Sequence, residues 1–401
     1  VKELKSLVSP PRIGARVVLC LTLCILPAAI VLFSSSCNTL PVGYDQLRDR
    51  VSGAADTTLP ADSSSSYARY VPLGGSSLLY LGSDTSYVAR LIIRFSILDT
   101  MSLDSITSFQ LVLHQPDTAR TMGLICRPCS SQWTESGVSW QMADSFDHWL
   151  TPGGDFLSDT LATGIMTGDS AVFDFRYVGL DSALRATIRD CGIGIFPLDT
   201  GIVAIYAGTG SNTTTTAPRL LVTYTNKGKQ TQRVVNDASD ASLIDTVATN
   251  SQPFDLLVGS GVAFRTWLTF NVDSIPSSAT IARADLKFRP ETKYHRTDTI
   301  NLGVHRLTDS YILKGASARF ETTPLATASY VPADSDSVVT IDIRSLVQLW
   351  TSREDTLPNY GLLLEAAPEW SPLFRLRIPR SGPNAPRLEV QYVLPPEDRF
   401  R

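Results

Sequence analysis

Apolar and polar residues alternate one by one in many short segments of this chain. In "APRLEVQY", Leu388, Val390 and Tyr392 share one face, while Arg387, Glu389 and Gln391 share the other. "IARADLKFR" sets Ala282, Ala284, Leu286 and Phe288 against Arg283, Asp285, Lys287 and Arg289. "LFRLRIP" sets Phe374, Leu376 and Ile378 against Arg375 and Arg377. A period of two is the signature of strands with one buried and one wet face. Clusters of Gly, Pro, Asn and Asp separate the runs, as turns require. The one helical spacing recognised is in "SLVQLW", where Leu346, Leu349 and Trp350 stand at i, i+3 and i+4. The pattern predicts an all-β chain of antiparallel β-sandwiches, jelly-roll-like, with a short helix over one end.

The strands recur. "TAPRLLVTYT" ends one half of the chain and "NAPRLEVQYV" ends the other. Between them "LYLGS" matches "LLVGS", "ARLIIRFSI" matches "FRTWLTFNV", and "ITSFQLVLH" matches "IARADLKFR". "GLICR" matches "LGVHR", which sets Cys126 against His305; "VFDFR" matches "TIDIR", and "GIGIF" matches "YGLLL". The order is kept, at a spacing of about 170 residues, a period that means tandem domains and not a solenoid of short repeats. The expected division is a leader over 1–37, a disordered tether over 38–66, a first sandwich over 67–226, a second over 234–394 and a tail over 395–401.

The leader has its own pattern. Lys2, Lys5, Arg12 and Arg16 precede an apolar run from Val17 to Phe33, and "SSSC" ends at Cys37. This reads as an export signal, and the small residues before Cys37 resemble the lipobox of bacterial lipoproteins. That resemblance implies cleavage before Cys37 and lipidation of its thiol. An uncleaved anchor helix and a plain signal peptide are the alternatives. Each puts the folded part outside the cytoplasm, membrane-anchored, periplasmic or at the cell surface.

Composition narrows the function. The net charge is −4 over 401 residues, and residues 57–226 hold nine basic against fifteen acidic side chains. No segment carries the concentrated positive face that nucleic-acid binding needs.

The segments "LLVGS", "TWLTFNVDSIPSSATIARADLKFR", "GVHRLTD", "TIDIRSLVQLW", "NYGLLLEA" and "APRLEVQYV" together resemble the DNRLRE domain, also classed as carbohydrate-binding module family 96 and related to a disaggregatase-associated domain. The second copy carries this likeness over about Asp240 to Val393. The first copy matches more loosely and adds "WTESGVSW", Trp133 to Trp140, which resembles the Trp-Glu-x-x-x-x-Trp stretch of that family. The resemblance implies a jelly-roll-like sandwich attached to polysaccharide-binding or polysaccharide-degrading surface proteins.

Candidate chemistry is sparse. Asp144, Asp147 and His148 lie together in "DSFDHW", one short loop with no second ligand group, so no metal is expected. "CRPC" holds Cys126 and Cys129; with Cys191 these allow one disulfide and leave one thiol over. No phosphate-binding glycine loop and no nucleophile elbow occurs, so neither a catalytic residue nor a cofactor is assigned. The candidate ligand-binding groups are Lys287, Arg289, Arg375 and Arg377, on strand faces expected to point outward. Guanidinium groups grip carboxylates as a fork, which points to an acidic polysaccharide. Cross-strand pairing with Glu and Asp is the structural alternative for the same four residues. The function expected is a non-catalytic surface lipoprotein that binds a polysaccharide or matrix glycan, tied to the membrane by its N-terminus. The competing expectations are a scaffold that binds protein and, third, a polysaccharide lyase or hydrolase.

Overall fold

The computed structural model describes residues 54–95, 105–175, 179–208, 215–236, 239–247, 255–310, 319–332, 337–353, 357–370 and 372–395. The leader and Cys37 lie outside the described residues. Within 55–392 the chain forms one compact unit that contains two antiparallel β-sandwiches.

The first sandwich is built from β3 (Leu78–Ser83), β4 (Tyr87–Arg94), β5 (Ile106–His114), β6 (Met122–Pro128), β7 (Ala162–Met166), β8 (Ser170–Phe175), β9 (Ile193–Pro197), β10 (Gly201–Tyr206), β11 (Arg219–Asn226), β12 (Lys229–Asn236) and β13 (Ser239–Thr246). Its larger sheet runs β10-β3-β4-β9-β6-β7, with β13 also on β4; its smaller sheet runs β12-β11-β5-β8. Alternation aims Leu79, Leu81, Leu91, Ile93, Leu124 and Ile195 from one sheet at Phe109, Leu111, Phe173 and Val222 from the other, and all are buried.

The second sandwich repeats this plan with β14 (Leu256–Gly259), β15 (Val262–Thr269), β16 (Thr280–Phe288), β17 (Glu291–His295), β18 (Ile300–Arg306), β19 (Ala326–Tyr330), β20 (Val339–Asp342), β21 (Leu362–Ala366), β22 (Phe374–Ile378) and β23 (Arg387–Val393). Its sheets run β17-β22-β14-β15-β21-β18-β19 and β16-β20 joined to β23. The two similar strands that end the halves, quoted above, are β11 and β23. Helix α1 (Ser182–Cys191) precedes β9, and α2 (Arg344–Ser352) precedes β21, in equivalent places. Helical spacing in the sequence exposed α2 and missed α1. The missed signal is the cap: the Asp181 carboxylate accepts from the Leu184 amide at 2.7 Å, and Gly192 ends the helix at φ 82°.

The boundaries differ from those expected. The stretch taken as a tether contains β1 (Ala54–Pro60) and the first half of β2 (Ser63–Tyr70). These strands complete the second sandwich: β1 lies beside β23, and β2 pairs with β15 from Val262↔Tyr70 to Thr269↔Ser63. Their counterparts, β12 and β13, complete the first sandwich, β13 pairing with β4 from Ser239↔Arg94 to Thr246↔Tyr87. The first sandwich therefore closes near residue 246, and the second closes with two successive strands drawn from before the first, one in each of its sheets. Serine-rich β2 escaped recognition because it lacks apolar alternation; backbone ladder bonds to β15, not side-chain burial, give it strand structure.

The sandwiches share a core of their own. Tyr80, Tyr87, Ile202, Ile244, Val262 and Leu373 pack together there. The Tyr87 hydroxyl donates to the Phe374 carbonyl at 3.1 Å, and the Tyr80 hydroxyl accepts from the Leu373 amide at 3.3 Å.

Candidate functional site

The four basic residues expected to bind ligand are not brought together on an open face. Arg375 is 6 % exposed; it sits against the first sandwich, its guanidinium 5.2 Å from the Tyr87 ring and 5.9 Å from that of Phe264. A strand face that would be wet in an isolated sandwich is covered here by the neighbouring one. Arg377 pairs with Asp255 and, at 3.3 Å, with Glu291. Lys287 pairs with Glu389 at 2.6 Å. The amide of Arg289 donates to the Asn384 carbonyl at 3.0 Å. For Lys287 and Arg377 the cross-strand alternative is what the structure contains.

The thiols also differ from expectation. Cys126, Cys129 and Cys191 are all reduced and buried. Residues three apart on a strand face opposite ways. Cys126 accordingly lies in the sandwich interior, while Cys129 lies on the outer side of the sheet with Cys191. Burial pushes the Cys129 thiol up to about 12. In "DSFDHW" the Asp144 carboxylate caps the amides of Phe146 (2.6 Å) and Asp147 (2.8 Å), and the Trp149 indole donates to the Ser139 carbonyl at 2.9 Å. That loop is a structured turn over a buried Trp149.

The concentration of unusual chemistry lies on the outer faces of the two larger sheets, turned away from the sandwich interiors. Strand pairing defines equivalent positions. In the first sandwich Arg127 stands opposite Gly194, which stands opposite Ile92. In the second, His305 stands opposite Leu363, which stands opposite Trp267. His305 thus occupies the place of Arg127, one residue along from the Cys126 match made by sequence. One row over, Arg90 and Phe196 in the first sandwich correspond to Arg265 and Glu365 in the second.

In the second sandwich this row is an ion network. Arg265 grips Glu369 through two bonds of 2.7 Å and reaches Glu365 at 3.2 Å. Glu365 also meets His305 Nε2 at 3.0 Å, and His305 Nδ1 lies 2.6 Å from the Glu321 carbonyl. Phe320 covers the group, 5.0 Å from the Arg265 guanidinium. Burial works against charge on Arg265 and on His305. The carboxylate bonds outweigh it, so both hold their protons more firmly than usual.

In the first sandwich the same row holds no carboxylate. Arg90 lies 5.4 Å and Arg127 5.3 Å from the Phe196 ring centre, so one aromatic ring stands between two guanidiniums. Trp140 stacks on Arg90 at 4.7 Å, and Arg90 donates to the Gly153 carbonyl at 2.8 Å. Phe156 meets Phe196 edge-on at 4.8 Å and lies over Gly194, where a Cβ would run into its ring. Among the described residues no carboxylate reaches ion-pair distance of Arg90 or Arg127, and Arg127 Nε has no hydrogen-bond partner. Burial, and then the Arg127 charge, lower the proton affinity of Arg90. Both arginines are half-buried. Beside them, the capped 144–155 loop holds Phe146 and Leu150, 88 % and 91 % exposed, the latter with its amide bonded to Asp155 at 3.1 Å.

None of Arg90, Arg127, Trp140 and Phe196 was singled out from sequence as a ligand-binding group. Alternation alone puts Arg90 and Arg127 on the outer face, since Leu91 and Cys126 point inward. What could not be read is that residues as far apart as Arg90 and Phe196 converge on one ring. No family model and no curated protein matches the chain. The DNRLRE-like segments thus stand as a resemblance.

Proposed function

We propose that the chain is an exported, non-catalytic surface module that binds a carboxylate-bearing glycan on the outer face of its first sandwich. The observation that supports this is the Arg90–Phe196–Arg127 row: two adjacent half-buried cations with no counter-charge among the described residues. Guanidiniums desolvated without a partner are costly, and an external carboxylate relieves that cost. The half-buried ring of Phe196 beside the cations supplies apolar surface on which a sugar ring can rest, backed by the buried Trp140. Sandwiches often carry such ligands on exposed sheet faces and loops, but fold analogy alone assigns no ligand.

The test is affinity electrophoresis and titration calorimetry of the full chain with polygalacturonate, using neutral dextran as the control. Retardation by the polyuronate that weakens with salt, and that Arg127→Ala reduces about tenfold, is the expected result. Equal behaviour with both polymers, or no effect of Arg127→Ala, rejects the assignment. A second reading, recognition of a protein partner, draws on Phe146 and Leu150, two large apolar side chains held outward by a rigid loop. Loss of a captured protein partner in Phe146→Ser, with glycan retention unchanged, would favour it. Release of reducing ends or unsaturated products would instead place catalysis on the chain.

A further inference from the structure

The apolar surface beside the arginines does not stop at Phe196. Residues directly opposite on paired antiparallel strands point to one face, so the register extends the outer face of the first sandwich strand by strand. Phe196 stands opposite Ile125, and Ile125 opposite Thr163. Two residues back along β6, Gly123 stands opposite Ile165, and its carbonyl accepts from the Leu198 amide at 2.7 Å. Ile125 is half-buried, while Ile165 and Leu198 are 62 % and 58 % exposed. A Cβ on Gly123 would come within 3.4 Å of Leu198 Cβ and 3.0 Å of Asp199 Oδ2, so these side chains lean over the glycine between them. Single exposed aliphatic residues are ordinary on a protein surface; a tract continuous with a cationic row is not.

The duplicate shows that the sheet itself does not need this tract. The same pairing puts Gly303 in the place of Ile125 and Ser329 in the place of Ile165. Ala367 takes the place of Leu198: its amide donates to the Asn301 carbonyl at 3.0 Å, as that of Leu198 does to Gly123. Ser329 Oγ donates to Asn301 Oδ1 at 2.8 Å. The second sandwich closes these positions with small and polar groups, and the first presents three large aliphatic side chains.

Charge is graded along the same face. Arg90 and Arg127 stand at one end. At the other the exposed Asp199 carboxylate accepts from the Gly123 amide at 2.6 Å. Arg120, further along that edge, is paired with Asp117 at 3.3 Å. By strand geometry the span from Arg127 to Ile165 is about 14 Å. A polymer charged on every unit would bring an anion up to Asp199 and onto an aliphatic surface. One whose free carboxylates are interspersed with neutral, apolar units suits both ends. Resting on the glycan reading above, we infer that the ligand is a partly esterified polyuronate. A free carboxylate meets Arg90 and Arg127, and the ester alkyl group of a nearby unit covers Ile125, Ile165 and Leu198.

The experiment is calorimetric titration of the full chain with three forms of one polymer: polygalacturonate, its half-methylated ester and its half-amidated derivative. The ester and the amide lose the same charge, and only the ester adds a methyl group. Expected is binding of the ester about tenfold tighter than of the amide. The double variant Ile165→Ser/Leu198→Ser, at exposed positions, should level the two while keeping polygalacturonate binding. Equal affinity of the wild-type chain for ester and amide, with polygalacturonate bound, overturns this inference and leaves the arginine site standing. So does a preference that survives in the double variant. Binding of none of the three polymers overturns the inference together with the reading on which it rests.

Discussion

At the same point on two duplicated sheets, one sandwich has Phe196 and the other has Glu365. Around each stand two basic side chains: Arg90 and Arg127 in the first, Arg265 and His305 in the second. In the second sandwich the chain supplies its own anions, Glu365 and Glu369, and the charges are neutralised internally. In the first an aromatic ring takes the carboxylate's place, and the cations keep unused capacity. On the proposed function, the same scaffold position serves stability in one copy and is left open for recognition in the other. Charge pairing, not the number of basic residues, separates the two. The first half of the chain is the more acidic by count, yet it holds the two arginines that have no carboxylate partner among the described residues.

The largest effect should come from breaking the self-neutralised face. Arg265→Ala strands Glu365 and Glu369 in a buried setting and should cost about 3–5 kcal/mol in denaturant unfolding. Arg127→Ala, with no carboxylate to strand, should cost about 1 kcal/mol or less, chiefly from its contact with Phe196. Next in size is the transplant Phe196→Glu, which places the second copy's carboxylate between the first copy's arginines. It should abolish polyuronate retention while the fold survives, as judged by circular dichroism and an unchanged unfolding midpoint.

A smaller effect is expected in pH dependence, and both sandwiches contribute. Glu135 of the first is pushed up to about 7 by burial and then by Asp240, against the pull of Arg94. Between its ordinary range and pH 7 the folded state binds the extra proton, so its contribution to stability declines as pH rises through that window. Glu135→Gln should remove that decline. His305 has a raised proton affinity, so its contribution is complete below its ordinary range and is lost as pH rises through the raised value. His305→Gln should flatten the stability profile there. Unfolding midpoints from about pH 5 to 8 for the wild type and both variants check each sign. The smallest effect concerns the thiols. All three should resist a disulfide reagent in the folded chain and react together in urea, since burial raises the proton affinity of each.

Much of the fold was legible from alternation, because each sandwich strand with one buried and one wet face writes a period of two. The duplication was legible because equivalent strands kept equivalent patterns. The crossing of strands β1 and β2 to the second sandwich was not, since "SSSSYARY" carries no periodicity and its partner, β15, lies about 200 residues away. The site was legible only in type. Arginines on outward faces were the kind of group to look for, but Arg375 lost its exposure to the neighbouring sandwich, a contact no single-strand pattern records. The sequence match that put His305 opposite Cys126 was off by one residue, and on a strand one residue reverses the face. His305 consequently belongs to the outer ion network and Cys126 to the interior.

The central claim is that two unneutralised arginines flanking Phe196 form the ligand site. Its most direct measurement is calorimetric titration of polygalacturonate into three full-length chains: wild type, Phe196→Glu and Glu365→Gln. The account predicts binding by the wild type and by Glu365→Gln, and none by Phe196→Glu. Undiminished binding by Phe196→Glu, or its loss in Glu365→Gln with the fold intact, would contradict it.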